Sequence, residues 1–479
     1  MNHLDRKTLE VAAKIVAEDS SVPPPRRKAS PNFVLGIVCV GIVLANLDLF
    51  IVNVALPNIG RDFAAASLED LSWVLNAYAI AYAALLVLFG RIAERHRRDL
   101  SFLAGVALFT LASAACAMAS SVETLVAFRL AQAAGAALMT PTSLGLLMAV
   151  FPPERRSHAV RTWTAIGGFG AALGPLIGGL LVTLDWRWIF LVNVPIGVLA
   201  LIVGYWKLPR VEGHEVPRPS PWDALLVTGG IAALVFAIIK LNDWGVTSPR
   251  IALAAAVSAV LLAAFVRSCL RSPTPFIDPA LFRIRSFTGA TLVMAPYSAA
   301  FGAMLLSIAL WEQSAWGWSA MQTGLVIAPG PLMVPLTSLL LAGRLIARFG
   351  ATAVVTAGIL FFAGGVGWWA AMIGPEPNTA LVVIGMTLTG IGVGLTFPTL
   401  MGVSGSALPP SQFATGSGVI NMTRQAALAV GVAIFVAVTG SPASLPERVA
   451  AFHLGWWTIV GLVLIGLVPT FALIRRSGA

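Results

Sequence analysis

Charged residues are scarce in this chain of 479 amino acids. Asp, Glu, Lys and Arg make up 11% of the sequence, hydrophobic residues make up 58%, and the mean hydropathy is +0.86. Soluble proteins carry about 25% charged residues. The composition therefore excludes a soluble protein and indicates one that is embedded in a lipid bilayer.

Sequence motifs for metal binding, ATP hydrolysis and hydrolytic catalysis are also missing. The three cysteines and five histidines show no metal-ligand spacing, and no lysine follows a glycine as it would in a phosphate-binding loop. Neither a Gly-x-Ser-x-Gly elbow nor a His-Glu-x-x-His pair occurs. We expect a protein that is not an enzyme, holds no metal or other cofactor, and takes its energy from an ion gradient.

Long apolar runs dominate what is present. A membrane-spanning helix needs about 20 apolar residues. Fourteen runs of this length begin near Phe33, Leu71, Leu100, Thr124, Val160, Trp188, Ala224, Ile251, Phe287, Met321, Ala351, Thr379, Ala414 and Phe452. They predict an all-α polytopic membrane protein with 14 transmembrane helices.

The net charge of +10 does not indicate nucleic-acid binding, because the basic residues form short clusters between the apolar runs rather than one patch. If the N-terminus is cytoplasmic, 24 of the 31 Lys and Arg residues fall on the cytoplasmic side. Cytoplasmic loops of membrane proteins carry this excess. The pattern predicts an even number of spans with both termini in the cytoplasm.

Two similar hexapeptides divide the chain into equivalent parts. Gly90–Arg95 follows the second run and Gly343–Arg348 follows the tenth. If these loops are equivalent, each half contains six spans, and the seventh and eighth runs are an inserted pair. The predicted domains are a cytoplasmic tail at 1–32, a six-helix bundle at 33–209, a linker with two inserted helices at 210–286, a second six-helix bundle at 287–475 and a cytoplasmic tail at 476–479.

Several separated segments carry a family resemblance. They are Leu47–Pro57 (Leu-Asp-Leu-Phe-Ile-Val-Asn-Val-Ala-Leu-Pro), Gly90–Arg98, Arg129–Ala137, Gly170–Gly179 and Gly416–Gln425. Together they resemble the major facilitator superfamily, specifically its fourteen-helix drug:proton antiporter family, over nearly the whole chain after residue 32. The resemblance implies a major facilitator fold of six, two and six helices, with two bundles that rock to give alternating access.

Asp48 lies about 15 residues, or about 22 Å, into the first predicted helix, slightly outside the bilayer midplane. A charge at the centre of a membrane helix costs about 2.5–3.5 kcal/mol on insertion scales, and a low dielectric favours the neutral acid. Asp48 is therefore a candidate proton-binding switch. The alternative is an Asp that stays paired with a neighbouring Arg or caps a kinked helix.

Arg129 and Gln132 match the family's fourth-helix motif, although Ala133 stands where the family usually has Gly. Arg129 falls on the same side of the midplane as Asp48, so a direct or water-mediated interaction between them is geometrically feasible. The resemblance assigns Arg129 to proton coupling with Asp48. Alternatively, Arg129 packs helices together through hydrogen bonds to backbone carbonyls.

The fifth run contains a segment that resembles the family's antiporter signature. Its residues are Gly170, Gly174, Pro175, Gly178 and Gly179. Glycines four apart share a helix face and let a neighbouring helix approach closely, while the proline removes a backbone hydrogen bond. The signature favours export. An ordinary packing seam between helices is the alternative.

The loop after the second run resembles the superfamily's cytoplasmic gating motif, in which acidic and basic residues tie helix ends together. The candidate residues are Gly90, Arg91, Glu94, Arg95 and Arg98. Glu94 replaces the usual Asp, and Arg97 occupies the position of the usual Gly. Charges that only orient the chain in the membrane are the alternative.

A polar stripe in the thirteenth run consists of Asn421, Arg424 and Gln425, which share a helix face. Such a stripe lines a substrate path or bonds helices to one another. The other candidate pathway residues are Asn53, Tyr78, Tyr82 and Gln132. Glu312 is expected at the outer membrane interface rather than as a second proton site.

These expectations combine into a proton-driven antiporter that exports hydrophobic or amphipathic drugs, antibiotics or toxic metabolites across the bacterial cytoplasmic membrane. A proton-coupled importer of a small metabolite, or a channel, stays open as an alternative. We expect a monomer with a small amphipathic cargo, a surrounding lipid bilayer, the proton as coupling ion and no nucleic-acid partner.

Overall fold

The computed structural model describes residues 29–63, 67–213, 220–245, 247–408 and 413–474. Within these ranges the regular secondary structure is helical, and no strand occurs. The expected cytoplasmic tails lie almost wholly outside the described residues. The all-helical class is confirmed.

The first bundle is built from five long helices and a sixth segment that consists of the short α6 and of α7. They are α1 (Pro31–Asp62), α2 (Leu68–Arg95), α3 (Arg98–Ala117), α4 (Val122–Val150), α5 (Pro153–Val182), α6 (Trp188–Leu191) and α7 (Asn193–Lys207). Ser67 starts α2 with a capping box, in which its hydroxyl accepts from Asp70 N and Asp70 accepts from Ser67 N. In this bundle α4 packs against α1, α2 and α3, and α5 packs along α1.

The linker between the bundles contains two further long helices. They are α8 (Pro221–Ile239) and α10 (Pro249–Arg271), with the short α9 (Leu241–Trp244) between them. Lys240, directly after α8, donates to Glu69 in the first turn of α2 at 2.8 Å. The contact places the end of α8 beside Ser67, and we call this side of the molecule the Ser67 end.

The second bundle follows a short 3-10 helix at Pro279–Arg283. It contains α11 (Arg285–Ser314), α12 (Ala320–Ile327), α13 (Pro329–Thr337), a π-helical turn (Ser338–Ala342), α14 (Gly343–Met372), α15 (Thr379–Ser406), α16 (Phe413–Thr439), α17 (Leu445–Ile465) and α18 (Leu467–Leu473). The other side of the molecule, where α2 ends and α3 begins, is the Arg97 end.

Twelve helical segments within the described ranges are long and apolar enough to cross a membrane. One of them, Ala320–Met372, runs for 53 residues and is interrupted at Gly350, whose φ of 80° and ψ of 162° are not helical. A shorter apolar stretch, Ile166–Val182, lies in α5. The chain is a multi-pass membrane protein, while the count of fourteen spans stays a prediction.

The two bundles meet chiefly where α2 packs on α16, where α5 packs on α12 and α13, and where α1 packs on α11. Gln313 of α11 donates to the carbonyl of Val54 in α1 at 3.0 Å. The linker helix α8 packs on both α2 and α16, so it spans one of these seams from outside. The seams matter for function because any relative motion of the bundles must rearrange them.

Candidate functional site

A buried charge pair lies inside the first bundle. Asp48 in α1 and Arg129 in α4 are both fully buried, and Arg129 Nη1 donates to Asp48 Oδ2. Arg129 Nε donates to the carbonyl of Val74 in α2 at 3.1 Å. The structure thus contains a direct contact between the two charges, together with the backbone contact that was the alternative for Arg129.

Gln132 completes the coordination of the carboxylate. Its Nε2 donates to Asp48 Oδ1 at 2.8 Å, and its Oε1 accepts from Arg129 Nη1 at 2.7 Å. Gln132 lies one turn after Arg129 on the same face of α4, so one helix supplies both donors to Asp48. A buried charge is tolerated when it is paired and hydrogen-bonded, and both oxygens of this carboxylate are.

Two further residues of the site were missed by the sequence analysis. Ser113 in α3 accepts from Gln132 Nε2 at 2.8 Å, and Asn193, the first residue of α7, lies 3.5 Å from both Asp48 Oδ1 and Ser113 Oγ. Both are fully buried. Asn193 is a polar residue inside an apolar run, which was a usable signal, whereas nothing distinguishes Ser113 from the other small residues of α3.

Two stacked tyrosines extend from the charge pair towards the second bundle. The guanidinium carbon of Arg129 lies 4.1 Å from the ring centroid of Tyr78, a cation–π distance. The rings of Tyr78 and Tyr82 stack at 5.9 Å with an interplanar angle of 21°. Tyr82 bonds the hydroxyl of Thr140 in α4 at 3.0 Å, and its helix α2 packs on α16 of the second bundle. Tyr78 therefore contacts the charge pair, and Tyr82 lies on the helix that forms a seam with the second bundle.

The glycines of the fifth-helix signature lie against α1. A methyl group on Gly174 would come within 2.7 Å of Cβ of Phe50, and one on Gly178 within 2.8 Å of Cγ1 of Ile51. One turn earlier on α5, a methyl group on Gly170 would lie 3.1 Å from Cα of Val43 in α1. The close helix approach expected from glycines four apart is present on this face.

The same signature also contacts the second bundle. A methyl group on Gly179 would lie 2.6 Å from the carbonyl oxygen of Ala320 and 3.0 Å from Cα of Met321 in α12. Opposite it, Gly324 approaches the carbonyl of Pro175. The sequence predicted close packing but not its location, which is a seam between the bundles near the Ser67 end.

At the Arg97 end, an ion pair and several hydrogen bonds join three segments. Arg97 pairs with Asp99 at 2.6 Å, and the hydrogen bond from this carboxylate raises the pKa of Arg97 above its ordinary value. Val211 N donates to Asp99 Oδ1 at 3.3 Å, and Arg98 Nη1 donates to the carbonyl of Gly145 at 3.2 Å. The segment after α7 and the end of α4 are therefore tied to the start of α3.

The sequence analysis had not singled out Asp99 in this loop. Of the remaining gating candidates, Gly90 lies beside Pro141 of α4 and Arg95 is exposed at the end of α2. The side chains of Arg91 and Glu94 lie outside what the structure describes. Their ion-pair role stays a prediction.

The other pathway candidates divide into two kinds. Asn53 and Asn421 bond carbonyls of their own helices, those of Leu49 and Ser417, at 3.0 and 2.9 Å. Gln425 is buried, and its Oε1 has no hydrogen-bond partner among the described residues. Arg424 is half-buried, with its guanidinium carbon 5.6 Å from the ring centroid of Phe397 in α15.

Glu312 lies two residues before the end of α11, at the Ser67 end, and its position relative to the membrane interface stays a prediction. The residue is fully buried, and neither carboxyl oxygen has a hydrogen bond of ordinary geometry within the described part of the chain. This burial was not predicted, because it arises where the chain turns back after Ser314 into α12, whose Thr323 adjoins the carboxyl. Distance along a helix does not reveal which neighbour encloses its end.

Two helical bundles pack against each other, and an ion pair is buried inside the first of them. This is the architecture of a membrane transporter. The family model described as Major Facilitator Superfamily matches residues 38–432. The chain belongs to this superfamily.

Several proteins with related sequences are named as resistance or export proteins, and others are named as transporters, such as the riboflavin transporter RibZ of Clostridioides difficile, which is 27% identical over 457 residues, 93% of this chain and 98% of that one. The methylenomycin A resistance protein of Streptomyces coelicolor is 32% identical over 464 residues, 96% of each chain. The cephamycin export protein CmcT of Amycolatopsis lactamdurans is 33% identical over 462 residues, 92% of this chain and 93% of that one. A crystal structure of a POT family transporter in complex with 5-aminolevulinic acid aligns with a TM-score of 0.67 and 15% identity, covering 92% of this chain and 96% of that one, which shows the fold alone.

Proposed function

We propose that the protein is a proton-driven antiporter that exports hydrophobic or amphipathic small molecules from the bacterial cytoplasm by alternating access. The observation that carries the proposal is the carboxylate of Asp48, which is fully buried and held by Arg129 and Gln132. A carboxylate in this position changes its interactions when it gains a proton, because the neutral acid no longer attracts the guanidinium as an ion.

Proton binding at Asp48 weakens one selected helix contact. Arg129 ties α4 to α1 through Asp48 and to α2 through the carbonyl of Val74. Protonation removes the ionic part of the first tie and leaves the second, as well as the contact with the Tyr78 ring, in place. The helix released is α1, and α1 is the helix on which the glycines of α5 pack.

The effect of proton binding at Asp48 can reach the contact between the bundles through α1 and α5 alone. The α5 residues that face α1 are followed at once by Gly179, which faces α12 of the second bundle. A shift of α1 against α5 therefore acts on the contact with Ala320 at the Ser67 end. In the proposed cycle, an outside proton reaches Asp48, Arg129 tunes its binding, and the bundles rock to release cargo outside. Each inward elementary charge supplies about 2.3 kcal/mol at 100 mV.

We also propose fourteen spans with both termini and the Arg97 end in the cytoplasm. Two contacts support the alternation of ends: Lys240 beside Glu69 after α8, and Val211 beside Asp99 after α7. The break at Gly350 supports the division of the 53-residue segment into two spans. The bundles at 33–209 and 287–475 then enclose the cargo path, and the inserted pair lies outside it in a monomer.

Export is favoured over import by the fifth-helix signature and by relatives named for resistance and export. The test is a proton-flux screen with cationic, neutral and anionic amphiphiles and purified protein in liposomes that contain a pH-sensitive dye. An antiporter moves protons opposite to the cargo, an importer that uses the gradient moves both in the same direction, and a channel moves cargo without coupled protons. Proton and cargo movement in the same direction would contradict the proposal.

A further inference from the structure

Arg424 is a cation inside a membrane-spanning helix, and none of the described residues supplies a counter-charge to it. It lies about 16 Å from the start of α16, which places it deep in the bundle. Within the described residues it makes no ion pair and no hydrogen bond, and its guanidinium carbon lies 5.6 Å from the ring centroid of Phe397. Arg129, which is also buried inside a span, differs because Asp48 neutralises it.

The position of Arg424 is at the seam of the two bundles. Tyr82 belongs to α2 of the first bundle, whereas Phe397 and Arg424 belong to α15 and α16 of the second. Arg424 is half-buried on α16, the helix of the second bundle that packs on α2 of the first. Gln425, next along the helix, has a buried Oε1 with no partner among the described residues.

Aromatic rings continue from Arg424 across this seam. The ring of Phe397 contacts that of Phe301 in α11 edge-to-face at 5.5 Å, and Phe301 lies 5.9 Å from Phe50 in α1. Tyr297, one turn before Phe301, also contacts Phe397 at 5.2 Å. A guanidinium at one end of an aromatic wall offers one charged contact and a large apolar contact to the same ligand.

An unpaired guanidinium is expensive in a medium of low dielectric. Removing an ion from water without giving it a partner is costly, whereas a paired ion is tolerated. Arginine also offers five N–H donors in a planar fork that matches a carboxylate or sulfonate. The binding partner that Arg424 lacks among the described residues is therefore an anion.

We propose that Arg424 binds an anionic group of the cargo, a carboxylate or a sulfonate, while the aromatic body of the cargo packs on Phe397 and Phe301. The inference rests on the proposed transport function and narrows its cargo from amphipathic molecules in general to aromatic organic anions and zwitterions. Cargo that carries a positive charge and no negative one is disfavoured, because the charge of Arg424 repels it in the path.

The site lies on α16, which packs on α2, the helix that also contacts the charge pair. The rings of Tyr78 and Tyr82 on α2 stack beside the Arg129 guanidinium. An anion at Arg424 therefore changes the electrostatic potential at Asp48, and a proton on Asp48 changes the potential at the anion site. Cargo and proton sites coupled in this way have a physical basis for reciprocal effects on binding.

The test compares three probes that share a naphthalene ring: 2-naphthoate, 2-naphthamide and a naphthylmethyl trimethylammonium ion. Binding to the purified full-length protein in detergent is measured by calorimetry. The variants are Arg424→Gln, Arg424→Lys and the control Arg250→Gln, which removes an exposed arginine near Trp244 at the start of α10.

The parent should bind naphthoate at least tenfold more tightly than naphthamide and bind the cation most weakly. Arg424→Gln should lower the affinity for naphthoate about 10- to 100-fold, as expected for the loss of hydrogen bonds to a charged group, and change that for naphthamide less than about threefold. Arg424→Lys should retain part of the preference, and Arg250→Gln all of it. Equal losses for naphthoate and naphthamide in Arg424→Gln, or no preference in the parent, would overturn the inference.

Two further measurements distinguish cargo binding at Arg424 from lipid binding there, and the anion site from the antiport proposal. Loss of naphthoate binding in nanodiscs that contain phosphatidylglycerol, but not in neutral ones, would assign Arg424 to a lipid headgroup instead of cargo. Anion-selective binding without proton-driven transport of naphthoate would contradict the antiport proposal and leave the anion site standing. Proton-driven transport of naphthamide with no preference for naphthoate would contradict the anion site and leave antiport standing.

Discussion

Arg129 binds Asp48 across a separation of 81 residues and thereby joins α4 to α1 at a fully buried point. The same side chain bonds the Val74 carbonyl and lies over the Tyr78 ring, so α2 is held at the same point. Three helices of the first bundle are thus linked through one guanidinium. A change in the charge of Asp48 therefore alters the tie to α1, while the two contacts of Arg129 with α2 stay in place.

Replacement of Arg129 by Met should lower the stability of the protein by about 3–5 kcal/mol, because the carboxylate of Asp48 is left buried without its ion partner. The double variant Asp48→Asn, Arg129→Met should recover part of this loss, since no charge is then stranded. Thermal unfolding in detergent measures both. A double variant whose loss is the sum of the two single losses would contradict a direct coupling between the residues.

Gly179→Ala should impair transport because its methyl group would lie 2.6 Å from the carbonyl oxygen of Ala320 and must push the bundles apart at the Ser67 end. Overpacking of this kind costs about 1–3 kcal/mol. Gly168→Ala is the matched control on the same helix, because a methyl group there meets nothing within 4 Å. Labelling of a cysteine introduced at Ser67 should also become faster in Gly179→Ala. Parental transport by Gly179→Ala would show that the contact does not matter.

Gly174→Leu tests the other face of the same helix, where the side chain would enter the space occupied by Phe50. We expect normal insertion into the membrane and loss of transport, because every titratable group is retained while α1 and α5 are forced apart. Uptake into inverted vesicles measures the effect. A parental rate would remove the packing role assigned to Gly174.

The proposed topology predicts which single cysteines react with a membrane-impermeant reagent. Cysteines at Ser67, Pro249 and Pro446 should react from outside, and those at Arg97 and Pro275 only from inside. Pro217, which is also expected inside, lies outside the described residues. Labelling of Pro275 from outside would contradict the count of fourteen spans, because that position follows the inserted pair.

The ionic contact at the end of α8 should not contribute to the pH dependence of transport. Hydrogen bonds from Lys240 to Asp243 and Glu69, each at 2.8 Å, raise the pKa of Lys240, and the bond from Lys240 lowers that of Asp243. The stabilisation from a raised Lys pKa is complete below about pH 10.4 and is lost as the pH rises through the folded-state pKa. That from a lowered Asp pKa is present above about pH 3.9 and is lost as the pH falls through the folded-state pKa.

Both contributions therefore persist between about pH 5 and pH 9. Lys240→Met should lower the melting temperature by the same few degrees at both ends of this range and leave the pH profile of transport unchanged. Thermal unfolding and transport at the two pH values check this. A melting-temperature difference that varies across the range would show that another group titrates within the contact.

The sequence was sufficient for the helical membrane class and for the superfamily, because apolar length and short motifs are local properties. It also brought Asp48, Arg129 and Gln132 forward, since polar residues inside apolar runs are conspicuous. Ser113 and Asn193 were missed because their role depends on a third and a fourth helix meeting the pair. The burial of Glu312 and the seam position of Gly179 were not foreseen for the same reason. Which helix faces a residue is decided by packing, and a single sequence does not contain it.

The central claim is that Asp48 binds the coupling proton. The most direct measurement is uphill, pH-gradient-driven cargo accumulation in inverted vesicles that contain Asp48→Asn, with Asp62→Asn as a control. Asp62 lies at the exposed end of the same helix, where it bonds Trp186 and Arg187. Asn nearly matches Asp in size but does not exchange a proton in this range. We predict that Asp48→Asn inserts normally, retains downhill exchange and loses uphill accumulation, whereas Asp62→Asn retains both. Parental proton-coupled accumulation by Asp48→Asn would contradict the account.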